Sequence, residues 1–373
     1  MFPGSSSRRT RALAGLTSVV LAASLASLVA APVTADPGRA STPDLGWRDV
    51  RTGSDSQFRG LAPVTRRIAW VSGTEGTVLR TTDGGRHWRD VSPGGDTADL
   101  EFRDIEAWDA LHAVILSIGT GGDSRIYRTD DGGQTWKQGF RNSDRDAFYD
   151  CLGFWDRRHG VAMSDPVDGK FRILSTSNGG RTWKKRDPAG MPEALDGEFA
   201  FAASGTCLVT GGEQDAWLAT GGGASARVFH TVDRGLTWSV AFTPMVSTEA
   251  GGIFSLAVRD RTSLVAVGGD FEKPNKSART SAYSTDAGAT WAAGGDLHGY
   301  RSGADWLPLV RANPDGTGVI AVGPTGTDLS WDGGSTWSRL DRGNLDAVEC
   351  PDDGSCWASG AEGRVAVLTG LRR

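Results

Sequence analysis

The chain has 373 residues, among them 52 Gly, 15 Pro and 14 Trp, with 38% hydrophobic and 23% charged residues. So much glycine excludes a helical bundle, where each interior Gly costs about 1 kcal/mol; no G-X-Y period supports collagen, and the many indole rings exclude a solvated disordered polymer. A formal net charge of −5 argues against tight nonspecific binding to nucleic acid or anionic lipid.

Residues 1–35 read as an export signal. Arg8, Arg9 and Arg11 precede an apolar run from Ala12 to Ala31, and Val33-Thr34-Ala35 supplies the small residues a signal peptidase needs. A membrane anchor is the alternative; the Ala- and Ser-rich run and the small-residue site favour cleavage, after which no stable membrane span is expected. The arginine pair hints at twin-arginine export, but Arg11 stands where that pattern prefers an apolar residue, so the route stays open between Sec and Tat. Removing these three arginines leaves 37 basic against 45 acidic residues. Residues 36–44 then form a short tail and 45–373 a single domain.

One motif recurs six times and sets the architecture. It reads TTDGGRHW ending at Trp88, TDDGGQTW at Trp136, TSNGGRTW at Trp183, TVDRGLTW at Trp238, STDAGATW at Trp291 and SWDGGSTW at Trp337. The Trp spacings of 48, 47, 55, 53 and 46 residues each accommodate one four-stranded sheet. The repeat is similar to the Asp box, S/T-x-D-x-G-x-T-W. Asp83, Asp131, Asp233, Asp286 and Asp332 are expected to accept hydrogen bonds from their own turns, with Asn178 keeping the acceptor in the third copy. The following Gly takes a positive φ, the leading hydroxyl ties the turn, and the Trp packs between sheets. Six near-copies are a folding device, whereas catalysis needs one asymmetric constellation.

Strands precede each box, as in TVLRT, RIYRT and RVFHT, and before them RIAWVSG, HAVILSIG and SLVAVGG carry the β-branched and aromatic residues that strands prefer. Each unit therefore reads as strands a, b, c and d, with the box joining c to d. After the sixth box, LDAVECP, SCWASG and GRVAVLTG supply a, b and c of another unit without its d strand. GWRDV (Gly46 to Val50) nearly duplicates HWRDV (His87 to Val91), the d strand after the first box. The sequence thus predicts an all-β, seven-bladed β-propeller whose ring is closed by the N-terminal strand joining the C-terminal blade, leaving no open sheet edge. Cys350 and Cys356 flank the turn sequence PDDGS, which predicts a disulfide; Cys151 and Cys207 could form a second bridge or remain two buried thiols.

Topology puts the boxes and a-b turns at one end of the blades, so the b-c loops and d-to-a crossings surround the other mouth of the channel. Loops that differ between blades on a rigid ring are where specificity is built. The b-c loops contribute Asp165, Asp168, Lys170, Arg227, Asp270 and Lys273; the crossings and starts of strand a contribute Arg59, Arg103, Tyr149, Asp150 and Arg301. Convergence of Arg59, Arg103, Arg227 and Arg301 with Asp150, Asp165 and Asp270 would suit bidentate capture of a carboxylate or phosphate, against a bracing role for each arginine between blades. The five histidines do not cluster and no C-x-x-C, dinucleotide fingerprint or haem attachment motif occurs, so neither a metal nor a cofactor is expected. No G-x-S-x-G elbow and no H-E-x-x-H helix is present.

The strings AFYDCLGFWD (Ala147 to Asp156), SDPVDGKF (Ser164 to Phe171), ATGGGASARVF (Ala219 to Phe229), VGGDFEKP (Val267 to Pro274), GYRSG (Gly299 to Gly303) and VGPTGTD (Val322 to Asp328) resemble signatures of bacterial propellers related to the photosystem II stability and assembly factors. The resemblance spans nearly the whole chain beyond the signal. It implies a seven-bladed scaffold that binds proteins or chain segments, and some relatives carry an oxidoreductase label. The expected role is therefore an exported, monomeric platform for an extracytoplasmic protein or glycan. A sialidase-like hydrolase or lyase drawing on Tyr149, Asp150 and Asp165 is the enzymatic alternative, and whether the protein is an enzyme stays open.

Overall fold

The computed structural model describes residues 45–371; the expected export segment and tail lie outside the described residues. Within that span, 28 strands form seven antiparallel sheets of four. Blades 1 to 6 follow in chain order at 58–90, 101–141, 149–185, 208–242, 251–293 and 303–341. Blade 7 combines Ala347–Glu349, Trp357–Ser359 and Val365–Thr369 with Gly46–Val50. Gly46 pairs with Thr369 and Val50 with Val365, and Trp47 Nε1 donates to Thr327 Oγ1 at 2.9 Å. The two ends of the described chain thus complete one sheet. No helix among the described residues is long and apolar enough to cross a membrane.

Inner strands read as apolar runs because neighbouring blades cover both faces. Ala69–Gly73 and Leu264–Asp270 are buried at every position, whereas the outer Arg89–Asp90 and Lys184–Lys185 are exposed. The core lies in the seams between blades, where Trp70, Trp217 and Trp357 are fully buried. Their polar edges still need partners. Trp70 Nε1 donates to the Asp109 carbonyl of the next blade at 3.0 Å, and Trp217 Nε1 to that of Ala287 at 2.8 Å.

The boxes behave as their residue types dictate. In the second, Thr129 Oγ1 donates to Asp131 Oδ1 at 2.9 Å and accepts from Gly133 N at 2.8 Å, while Asp131 Oδ1 accepts from Thr135 N at 2.9 Å. Gly133 has φ 79°. Asn178 serves the same turn, accepting from Thr182 N at 3.0 Å. Two boxes replace the first Gly, and Arg234 (φ 57°) and Ala287 (φ 64°) take the left-handed conformation there.

Cys350 and Cys356 form the expected disulfide, and Cys151 and Cys207 form a second one that the sequence left open. Two disulfides fit an oxidising, extracytoplasmic environment. The second clamps the end of a segment that occupies the hub. Residues 199–206, ahead of the inner strand Leu208–Gly211, cross the channel and are held from four other blades. Arg59 Nη1 donates to Ala203 O at 3.2 Å, Arg103 Nη1 to Ala202 O at 3.1 Å and Ser204 Oγ to Ser302 O at 2.7 Å, while Thr206 Oγ1 and Ser255 Oγ share a hydrogen bond of 2.7 Å. This plug divides the channel into two cavities.

Candidate functional site

The cavity on the b-c side has a volume of about 510 Å³. Arg59, Arg103, Asp150 and Asp165 line it together with Phe148, Phe199, Phe201, Phe254, Phe271 and Tyr300. Five of these arrive by one device. Pairing with the second strand shifts register between Phe58 and Gly60, Phe102 and Asp104, Tyr149 and Cys151, and Ile253 and Ser255, leaving Arg59, Arg103, Asp150 and Phe254 as extra residues. Asp165 is the extra residue between Ser164 and Pro166. A bulge bends its strand and re-aims a side chain, here toward the axis of the ring.

The rings form one wall. Phe201 and Phe254 stack at 3.8 Å, Phe199 lies 4.8 Å from Phe201, Tyr300 sits edge-on to Phe254 at 4.6 Å, and Phe271 stands T-shaped over the stack with 49% of its surface exposed. The same cavity holds a carboxyl pair. Asp150 is only 2% exposed and its Oδ2 has no hydrogen-bond partner; burial, reinforced by the charge of Asp165, raises its pKa well above the ordinary range. Burial also pushes Asp165 up to about 7, against a 2.9 Å hydrogen bond from Ala200 N to its Oδ1. Burial likewise raises the Tyr300 phenol. The arginines turn inward. Glu101 fills the Nε and Nη2 edge of Arg103 at 2.8 and 2.6 Å, and Arg59 faces Asp346 at 3.8 Å.

The other candidates are occupied elsewhere. Tyr149 is fully buried against Phe140. Arg227 is buried with Glu198, to which Nε donates at 2.9 Å. Arg301 has no exposure; Asp328 holds its Nη2 at 2.7 Å and Thr325 Oγ1 accepts from Nη1 at 2.8 Å. Asp270 accepts from Glu272 N and Lys273 N at 3.1 and 3.2 Å, capping its loop, and Lys273 stays near it at 3.4 Å. Asp168 pairs with Arg172 at 2.7 Å at a hairpin tip, and Lys170 with Glu193 at 3.3 Å. The expected convergence of four arginines therefore narrows to two, because Arg227 and Arg301 each meet a buried carboxylate before reaching the mouth. The aromatic wall went unseen in the sequence.

Beyond the plug, Asp104, Glu106, Asp305 and Glu349 line a second cavity of about 290 Å³ at the Asp-box end. Burial raises all four, Glu106 and Asp305 to about 7. Among the described residues, no group of three or more His, Cys, Asp or Glu is arranged to hold a metal ion.

A family model described as BNR/Asp-box repeat matches residues 127–138. No curated protein matches the chain in sequence. Among solved structures, one titled "YCF48 bound to D1 peptide" is 15% identical with a TM-score of 0.58, over 86% of this chain and 96% of that one. YCF48 from Cyanidioschyzon merolae is 15% identical with a TM-score of 0.61, over 86% and 98%. The GH74 xyloglucanase from Xanthomonas campestris is 15% identical with a TM-score of 0.58, over 86% of this chain and 53% of the enzyme. A streptogramin B lyase is 12% identical with a TM-score of 0.61, over 87% and 97%. The chain is thus an Asp-box propeller, similar in fold to binding proteins and enzymes alike.

Proposed function

We propose that this protein is an exported binding platform that receives a segment of an extracytoplasmic partner at the b-c mouth. One observation carries the reading: an aromatic wall ending in the exposed ring of Phe271 faces a cavity of about 510 Å³ held on rigid blades. Cavities of this size with an apolar wall and a few convergent polar groups are where ligands gain burial and orientation together. The likeness in fold to YCF48 bound to D1 peptide supports the same use. A photo-crosslinking residue at Phe271 is expected to trap a discrete partner from an extracytoplasmic extract, whereas one at exposed Arg86 on the Asp-box side is not. Identical crosslinks from both positions would overturn the reading.

A second reading rests on the Asp150–Asp165 pair, since two carboxyls in a ring-lined cavity are also what glycoside cleavage uses. Such cleavage needs one carboxyl held ionised and one held protonated. Here burial drives both the same way. Turnover on a glycan panel that disappears in Asp165→Asn would establish the enzyme; absence of turnover across the panel leaves the platform.

A further inference from the structure

We propose that the b-c mouth selects a cation with an apolar body, an alkyl- or arylammonium group such as a lysine side chain, seating its hydrocarbon on the phenylalanine wall and its ammonium between Asp150 and Asp165. This deepens the platform reading and rests on it. Asp150 lines the cavity at 2% residue exposure with no hydrogen-bond partner on its Oδ2, and a buried acceptor without a donor is a cost that an incoming N–H removes. An aromatic wall favours a cation too, because ring faces carry negative potential.

The charges around the pair agree. Blade 3 contributes Asp150 and Asp165; blade 2 contributes Arg103 with Glu101 across its fork; blade 1 contributes Arg59, which faces Asp346. Tyr300 completes the titratable groups. Four carboxyls thus meet two guanidiniums, and Glu101 already takes the two-pronged edge with which Arg103 would grip an anion. The approach is acidic as well. An open groove of about 700 Å³ adjoins the cavity at Asp165 and Phe199 and continues past Asp196, Glu198 and Glu249, with no Lys or Arg along it. Glu198 is taken by Arg227; Asp196 and Glu249 are exposed.

An ammonium settling there ionises one carboxyl of the pair, so binding releases up to one proton. The test uses calorimetry near pH ~6.5, between the ordinary carboxyl range and the raised value of Asp165. Phenethylamine is compared with 2-phenylethanol and 3-phenylpropionate, which keep the ring and change the charge. The amine is expected to bind at least ~10-fold tighter than either and to release about one proton, read from two buffers of different ionisation heat. Asp165→Asn, whose Oδ1 can still accept from Ala200 N, is expected to weaken the amine about 10-fold and leave the alcohol unchanged. Phe271→Ser weakens both. A second arm compares acetyl-Leu-Lys-Phe-amide with its Nε-acetylated form; preference for the free lysine over phenethylamine identifies a polypeptide source, and the reverse a small amine. Equal binding of the three small probes, tighter binding of the carboxylate, no binding of either amine, or indifference to Asp165→Asn overturns the cation assignment. If the carboxylate binds tightest and Phe271→Ser abolishes it, the mouth remains a site with the opposite charge preference. The platform itself is removed only by the crosslinking test, when Phe271 traps no partner or traps the same ones as Arg86.

Discussion

The rim and the hub of the ring solve opposite problems. At the rim, the boxes repeat one backbone hydrogen-bond pattern, and Asn178 keeps it while reversing one side-chain bond: its Nδ2 donates to Thr182 Oγ1, where Asp131 Oδ2 accepts from Thr135 Oγ1. At the hub the blades differ: the bulges deliver Arg59 and Arg103 from the first two blades, Asp150 from the third and Phe254 from the fifth. Repetition secures the fold, and deviation within the repeat builds the cavity. The difference also locates the cost. Rim carboxylates are held low by turn hydrogen bonds, as at Asp131, about 2, while hub carboxyls are held high by burial.

The contrast can be broken at its largest scale by removing the closing strand. A chain trimmed through Val50 exposes the edge of Val365–Thr369 and loses the buried Val50. Its melting temperature is expected to fall by roughly 8–16 °C, at roughly 2–4 °C per kcal/mol with the buried Leu45 and Val50 each worth about 2 kcal/mol. An unchanged melt would mean that the ring closes without it. Next in size, Cys151→Ser with Cys207→Ser frees the end of the plug; about 2–4 kcal/mol of stability is expected to be lost in denaturant titration, with the b-c cavity losing its ligand before the rim unfolds. A rim change is smaller. Asp131→Ala removes acceptors for Thr135 N and Oγ1 and is expected to cost about 1 kcal/mol while leaving ligand affinity at the hub unchanged.

Acidity separates the two regions further. Rim carboxylates with lowered values stabilise the fold above the unfolded carboxyl range of about 4 and lose that contribution as pH falls toward 2. Hub carboxyls with raised values bind protons more tightly folded than unfolded, so their contribution is complete below about 4 and is lost as pH rises through 7. Thermal stability is expected to peak between these limits, and Glu106→Gln with Asp305→Asn is expected to flatten the alkaline side; an unaltered slope would contradict the hub assignment. The smallest effect concerns backbone: Ala287→Gly relieves a positive φ and is expected to stabilise by at most ~1 kcal/mol, measured by denaturant midpoint.

How much was legible followed from periodicity. The boxes marked six blades, and the three strands after the last box, with the likeness of Gly46–Val50 to the strand after the first box, gave the seventh and the closure. Topology then placed Arg59, Arg103, Asp150 and Asp165 at one mouth, where they line a single cavity. It could not show that Arg227 and Arg301 are consumed by Glu198 and Asp328, partners 29 and 27 residues away whose meeting depends on the folded ring. The aromatic wall was hidden for another reason. Phe199 and Phe201 belong to a stretch that is neither repeat nor ordinary loop, and Phe254 looks like any strand residue until a bulge reverses the alternation. One signal was available: FRGL, FRDI, YDCL and IFSL, at or near the start of their inner strands, share an apolar or aromatic residue, a variable one, a small or polar one and an aliphatic one. The variable position is the bulge.

The closing sheet has a practical corollary for orientation. Gly46 begins an outer strand and Thr369 ends its partner, so both extremities of the ring emerge beside the Asp-box turns, on the side remote from the phenylalanines. A tag, linker or surface tether joined at either extremity would present the aromatic cavity outward, as a cup glued down by its base. Splicing the two extremities through a seventh box and reopening the chain in a rim loop elsewhere should yield a permuted ring with that cavity intact.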